Sequence, residues 1–474
     1  MSLTDQTRQG AVFDQLRRGI LSGTLPANAR LPPTRALAEE LGVARQTVVL
    51  AYERLAAEGY VRARTGSGTF VTADLPDAAP APKNLPPPGP ARLSCRGAAL
   101  AAIPATARPG GISAGLLAAG VPAPELFPAQ AWARCSARTL ATGLQDFARY
   151  PDPQGYAPLR AQIAAHLAAT RGLLAEPEQI VVTAGTQQAL AVAAELLLDP
   201  GDAAWVEDPG YIAGRGALRA AGAALVGVPS GAEGLDVAAG SALAPQARLA
   251  LVAPSHATPL GGALPIGQRL ALLDWAAREK AWVLEDDCDA EFRWEGRPLP
   301  PLATLDRGGR VIYCGTFSKT LAPALRLGFA VLPAPLVEPF VRLRTLADRG
   351  TGELGQAVLA EFMRQGLLGP HVRRMRTEYM RRRAALLGAL DRFCPALMPL
   401  ATPGGLHLVL RLPPELEETR VVRAAHARDL AVAPLGAYFL GRPRLAGLVV
   451  GFAATPAPRA AEAARGLAAA LRAA

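Results

Sequence analysis

The sequence predicts an α/β protein headed by a winged helix-turn-helix. Three observations carry the prediction. Residues 1–72 hold short amphipathic helices around a glycine-bearing turn, then an alternating hairpin. A stretch that is nearly all Pro, Ala and Gly follows, with little to bury. From about residue 111, short continuous apolar runs alternate with helical segments, as in strands buried on both faces of a mainly parallel sheet. At 474 residues the chain is also too long for one ordinary core.

In the first segment Val12, Leu16 and Ile20 recur at helical spacing, and Gly23 is placed to stop that helix. Thr34 is an expected N-cap for a helix through Leu41, which Gly42 ends. A further helix is expected from Arg45 to Glu58, with Val48, Tyr52 and Leu55 on its inner face. Residues 60–64 and 69–71 alternate around Gly66-Ser67-Gly68 and read as a hairpin, or wing. The start of the second helix of such a motif enters the major groove, which makes Arg45, Gln46 and Thr47 candidate base readers. Arg35 is placed for a phosphate, and the small tip at Ser67 and Gly68 allows close approach to nucleic acid.

Composition narrows the classes further. No apolar stretch reaches the roughly 18 to 20 residues a bilayer span needs, and the polar start lacks the apolar core of a signal peptide, so a cytoplasmic protein is expected. Five scattered cysteines without CxxC or Cys/His clusters argue against a disulfide framework or a metal site. A net charge of +10 suits a polyanionic partner. Of the 50 basic residues only Lys83, Lys280 and Lys319 are lysines. Where arginine serves for ordinary positive charge, a lysine inside a motif points to chemistry a guanidinium cannot do.

The expected strands are 180–182, 203–206, 249–252, 282–284 and 311–313, with helices such as 187–198 and 267–280 between them. Four constellations lie just after these strands. Thr316-Phe317-Ser318-Lys319 offers a primary amine for a Schiff base, with Arg326 in reach of a phosphate. Glu285-Asp286-Asp287 offers a carboxylate for a protonated pyridine nitrogen. Thr183-Ala-Gly-Thr186-Gln187 opens a helix whose free N–H groups suit a phosphate. In Asp208-Pro-Gly-Tyr211 the phenol ring can stack on a pyridine. Together they fit pyridoxal 5'-phosphate.

Two resemblances add to this. Residues 10–72, through Leu31-Pro-x-Thr-Arg and Gly66-Ser-Gly-Thr-Phe-Val71, closely resemble the GntR-type winged helix. The later motifs, from Phe127-Pro-x-x-x-Trp132 to Gly451-Phe-Ala453, resemble the fold-type I aminotransferases, and the combination resembles the MocR-type subgroup of GntR regulators. The resemblance implies a DNA-binding domain (1–72), a Pro/Ala-rich linker (73–110) and an aminotransferase-like effector domain (111–474) with a smaller subdomain from about 340. It implies that Lys319 forms the internal aldimine and Asp286 holds the pyridine nitrogen. Thr186, Gln187, Ser318 and Arg326 would hold the phosphate, and Tyr150 would reach a neighbouring subunit's phosphate in a homodimer. The implied function is a double-stranded-DNA-binding regulator that senses the cofactor, an amine or an amino acid. The alternative is an active aminotransferase with an accessory DNA-binding domain.

Three departures favour the sensor. Cys288 stands where the family has a tyrosine near the cofactor's phenolic oxygen. Thr258 replaces an asparagine in Pro254-Ser-His-Ala-Thr-Pro-Leu-Gly261. Residues 448–452 lack the arginine that grips an α-carboxylate. Arg215 and His256 are the candidate effector contacts. Six arginines between 373 and 383 either touch DNA phosphates or form a solvated, salt-bridged helix face.

Overall fold

The structure is a computed structural model that describes residues 3–64, 66–75, 93–103, 115–142, 149–294 and 299–474. It divides into two compact units, Met1–Arg92 and Leu93–Ala474. Lys83 and most of the expected linker lie outside the described residues.

The first unit holds α1 (Leu3–Leu21), α2 (Thr34–Leu41), α3 (Arg45–Ala57) and a hairpin of β1 (Val61–Arg64) and β2 (Gly68–Val71). Val12, Phe13, Leu16 and Ile20 of α1 pack on Leu37, Val48, Ala51 and Leu55, and Tyr60 and Val71 close the same core from the hairpin. The Tyr52 hydroxyl donates to the Pro32 carbonyl at 2.8 Å and ties α3 to the entry of α2. Thr34 is the first helical residue rather than the cap: Pro33 occupies that position and no side chain caps the helix. Proline fixes an extended entry, and the missing cap bond leaves the first N–H groups of α2 open. Gly42, at φ 62°, ends α2 in the left-handed conformation that glycine adopts without strain.

The second unit is built on an eight-stranded sheet: β3 (Ile180–Thr183), β4 (Ala203–Asp208), β5 (Ala224–Gly231), β6 (Gly234–Leu235), β7 (Leu249–Val252), β8 (Trp282–Asp286), β9 (Val311–Thr316) and β10 (Gly328–Val331). Their order is β3-β10-β9-β8-β7-β4-β5-β6. The run β9-β8-β7-β4-β5 is parallel, whereas β10 runs against both neighbours and β6 against β5. All five strands expected from apolar runs form. The runs that escaped notice are β5, broken by Gly227, Pro229 and Gly231, and the four-residue β10. Parallel order sends β3, β4, β7, β8 and β9 out at one edge, where ligands gather in open α/β sheets.

A smaller antiparallel sheet follows, of β11 (Met398–Pro399), β12 (His407–Arg411), β13 (Ala433–Pro434) and β14 (Gly447–Gly451), in the order β11-β12-β14-β13. Leu408, Leu410, Leu448 and Val450 pack against Leu386, Leu390 and Leu467 of the helices Leu368–Phe393 and Ala460–Arg472. The helix Leu368–Phe393 carries the arginine run. Arg382 is buried, bonded to Glu378, Glu125 and the Ala453 carbonyl. Arg374 donates to the Leu126 carbonyl, Arg376 to that of Arg293 and Arg383 to that of Thr402. Arg381 pairs with Glu378. Much of the run is thus internal fastening.

One helix forms where an extended linker is expected. Cys95–Ala101 is helical, and the Ser94 hydroxyl accepts from the Gly97 N–H at 3.0 Å. A good N-cap before an alanine-rich run is enough to start a short helix. Among the described residues no helix is long and apolar enough to cross a membrane.

Candidate cofactor and nucleic-acid sites

Lys319 sits three residues past β9. Its loop is folded on itself: the Thr316 hydroxyl lies 3.0 Å from that of Ser318, and the Ser318 N–H donates to the Thr316 hydroxyl at 3.1 Å. Phe317 is buried beneath, its N–H bonded to the Leu327 carbonyl. The Lys319 Nζ donates to the backbone carbonyl of Gly120. Arg326 follows at φ 49° and donates to the Ala184 carbonyl. That brings it against Gly185, where an added Cβ would lie 3.2 Å from an Arg326 nitrogen. Gly185, at φ 101°, is the N-cap of the helix Thr186–Leu197. The buried Thr186 Oγ1 and Gln187 Oε1 have no hydrogen-bond partner. A helix N-terminus that carries an unpartnered threonine hydroxyl and has a guanidinium beside it suits a phosphate.

Asp286 ends β8, next to β9 in the sheet, and is buried with Oδ1 unpartnered. Burial, Asp289 and Asp287 push its carboxyl up to about 7, while Lys319 and a hydrogen bond from Cys288 work the other way. A neighbouring recess is lined by Val206, Glu207, Tyr211, Val252 and Asp286. Burial raises the Tyr211 phenol well above its usual range. Glu207, fully buried, is pushed up to about 8 by burial, against a hydrogen bond from the Ala253 N–H. These unpaired acceptors, one amine and an apolar wall fit a phosphorylated pyridine aldehyde.

In the first unit Arg35, at the start of α2, and Arg45 and Gln46, at the start of α3, are exposed. Thr47 turns inward instead, at 7 % exposure, beside Val48 on the core face. Ser67 and Gly68 are exposed at the wing tip. Arg30 lies against that tip, since a Cβ on Gly68 would sit 2.8 Å from its Nε.

The chain matches two known families. Residues 8–71 match the bacterial regulatory proteins of the gntR family, and residues 116–437 match the aminotransferases of class I and II. Over 444 residues the chain is 39% identical to the probable rhizopine catabolism regulatory protein MocR of Rhizobium meliloti, covering 93% of this chain and 89% of that one. It belongs to the MocR-type GntR regulators. It is 33% identical over 447 residues to the pyridoxine biosynthesis transcriptional regulator PdxR of Corynebacterium glutamicum, covering 93% and 90% of the two chains. Among solved structures, the α-aminoadipate aminotransferase LysN of Thermus thermophilus, complexed with N-(5'-phosphopyridoxyl)-L-leucine, superposes with a TM-score of 0.69 at 32% identity, covering 75% of this chain and 91% of that one. This MocR-type chain is therefore a helix-turn-helix transcriptional regulator whose larger part has the aminotransferase fold.

Not every candidate of the MocR-type reading meets at the site. Arg215 lines the recess, but its guanidinium donates to the carbonyls of Tyr438 at 2.8 Å and Ala437 at 3.1 Å. It holds the loop after β13 and is not free to grip a carboxylate. Tyr150 is 77 % exposed, with Arg349 over its ring at 5.1 Å. Cys288 is beside Asp286, and burial and its acidic neighbours hold its thiol protonated. Arg444 pairs with Asp208 at 2.8 Å. On β14, within the stretch 448–452 that lacks the expected arginine, Val449 packs with Val409, Leu435 and Phe439. His256 is buried beside His407 and Asp289. Sequence reasoning missed Glu207, although it directly precedes Asp208-Pro-Gly-Tyr211. It also missed Gly120, for which no local signal exists.

Proposed function

We propose that this regulator holds pyridoxal 5'-phosphate on Lys319 and that the cofactor, or an amine or amino acid reacting with it, changes the protein's grip on DNA. The observation that carries the reading is the pairing of Lys319 and Asp286 at the ends of the adjacent strands β9 and β8, with a buried, unpartnered carboxylate oxygen on Asp286. When bound, the cofactor supplies an aldehyde and an electron-withdrawing ring. Asp286 holds the proton of the ring nitrogen, and Tyr211 stacks on the ring. Thr186, Gln187, Ser318 and Arg326 take the phosphate. Cys288, a weak donor, leaves the phenolic oxygen poorly held.

The exposure of Tyr150 supports a homodimer in which each copy completes its neighbour's phosphate site. In the DNA-binding part, residues 1–72, Arg45 and Gln46 read bases and Arg35, Ser67 and Gly68 meet the backbone. A linker, 73–110, joins it to the effector part, 111–474, whose smaller subdomain starts near 340. The protein acts in the cytoplasm. With Arg215 bound to backbone, His256 is the remaining candidate for effector contact.

The test is a salt-controlled shift assay on the DNA upstream of the protein's own gene, with and without the cofactor and a panel of amines. Specific binding that changes with the cofactor or an amine is expected; no specific binding in any condition overturns the reading. The likeness to LysN favours a second reading, a working aminotransferase. The absence of a carboxylate-gripping arginine from residues 448–452 weighs against it. Repeated keto-acid turnovers with an acceptor would establish catalysis, whereas a single half-reaction fits the sensor.

A further inference from the structure

His256, Asp289 and His407 come from three separate elements: the loop after β7, the segment after β8 and the start of β12. All three are buried, and one donor atom of each lies within 4.8 Å of the others. Tetrahedral coordination by such ligands, at ~2.0–2.2 Å, sets donors about 3.4 Å apart, so a modest inward turn of the rings suffices.

The surroundings are arranged for a cation. Both ring nitrogens of His256 and one Asp289 oxygen are buried without a hydrogen-bond partner. Buried polar atoms in native proteins are nearly always bonded, so three in one cluster call for an unseen partner. The ring of His407 is already oriented: its Nε2 lies 2.8 Å from the Pro259 carbonyl. A carbonyl accepts, so Nε2 carries the proton and Nδ1 keeps its lone pair, the second-shell arrangement that readies a histidine to ligate. The two rings meet edge to face at 5.5 Å. Burial and the neighbouring His407 lower His256 to about 4, so it is uncharged at neutral pH, as a ligand must be. The charges that act on the cluster are mixed: Arg293 on His256 and Lys319 on His407 are positive, and Asp286 beside Asp289 is acidic. Gly405 packs directly on His256: an added Cβ would lie 2.0 Å from Nε2.

We propose that His256, Asp289 and His407 bind a divalent transition-metal ion of the zinc class, with a fourth position open to water or to a ligand group. Two imidazoles and one carboxylate disfavour magnesium and calcium, which take oxygen donors. The ion would join the large sheet to the four-stranded sheet beside Lys319 and so add a second input to the same domain. The proposal does not depend on the cofactor.

The test uses full-length protein without a histidine tag, stripped with chelator and titrated with Co2+ in the absence of pyridoxal phosphate. About one cobalt per chain, with the visible d–d absorption of a low-coordinate site displaced by Zn2+, is expected. His256→Phe and Asp289→Asn should each weaken binding by more than about 100-fold, since even second-shell losses cost 10–100-fold. Far-UV circular dichroism and DNA binding check that each variant folds, and either one that folds decides the matter. Because the titration contains no pyridoxal phosphate, its outcome is separate from that of the cofactor test. No saturable binding, or binding unchanged in a folded variant, overturns the proposal.

Discussion

The Nζ of Lys319 donates to the carbonyl of Gly120, 199 residues earlier in the chain. The contact is close on both sides: Gly120 has φ 70°, and a Cβ there would lie 3.1 Å from the same Nζ. A segment far away in sequence thus holds the one lysine of the strand-end cluster and fixes where its amine waits.

Incubation with pyridoxal phosphate should give native protein an absorbance band near the visible edge and, after borohydride reduction, a label on Lys319. Lys319→Ala should lose both completely, and Lys319→Arg should do the same because a guanidinium does not add to the aldehyde. Gly120→Ala should keep the label but weaken cofactor binding by about tenfold, or ~1.4 kcal/mol, through crowding of the amine. Absorbance titration and peptide mapping check all three. Equal labelling of Lys319→Ala would sink the assignment.

The buried carboxyls set a pH dependence. Glu207 is raised from 4.5 to about 8 by burial, so the folded chain binds its proton more tightly than the unfolded chain does. Its stabilising contribution is full below pH 4.5 and is lost as pH rises through about 8. Asp286 and Glu291, each raised to about 7, act in the same direction. Thermal midpoints of the cofactor-free protein should therefore fall by several degrees between pH 5 and pH 8.5. Glu207→Gln should fall less, the gap between the two proteins reaching on the order of 1–3 kcal/mol at the alkaline end. Parallel curves for the two would refute this role for Glu207.

Local chemistry explains what the sequence disclosed. The winged helix is written in contiguous signals, from Pro33 through Gly42 to the hairpin glycines, and each apolar run that nominated a strand is buried on both faces. The placement of Lys319, Asp286, Thr186 and Tyr211 at or after strand ends was legible because parallel strands bring their C-terminal ends to one edge. Thr47 misled because the start of a helix still has an inner face. Arg215 misled because nothing in its neighbourhood announces the carbonyls of Ala437 and Tyr438, more than 200 residues on. The His256–Asp289–His407 cluster was invisible for the same reason: metal-site spacing rules describe ligands close in sequence, and these three are far apart.

Two glycines with left-handed backbones should respond very differently to alanine. Gly172 caps a helix at φ 66° with nothing within 4 Å of an added Cβ, so only the backbone strain remains, about 1 kcal/mol. Gly405, at φ 77°, would place its Cβ 2.0 Å from the His256 Nε2 and 2.5 Å from its Cε1. The ring is buried and an alanine Cβ would overlap it, so Gly405→Ala should cost roughly 3 kcal/mol or more. Urea unfolding of both variants checks the difference; equal losses would mean that His256 moves freely.

The DNA-binding surface gives the last contrast. Arg35 and Arg45 are both exposed arginines at helix starts, but the DNA contacts proposed for them differ in kind. A phosphate contact raises affinity for every sequence and adds about 0.9 to the slope of log K against log salt. A base contact discriminates by ~1–3 kcal/mol at one position. Arg35→Ala should weaken operator and non-operator DNA alike and flatten the salt slope by about 1. Arg45→Ala and Gln46→Ala should weaken the operator chiefly, relaxing preference at one or two base pairs. Fluorescence anisotropy on operator and scrambled duplexes at several salt concentrations separates these outcomes. If Arg45→Ala lowered affinity for both duplexes equally, its side chain would belong to the backbone contacts and the base-reading role would fall to Gln46 alone.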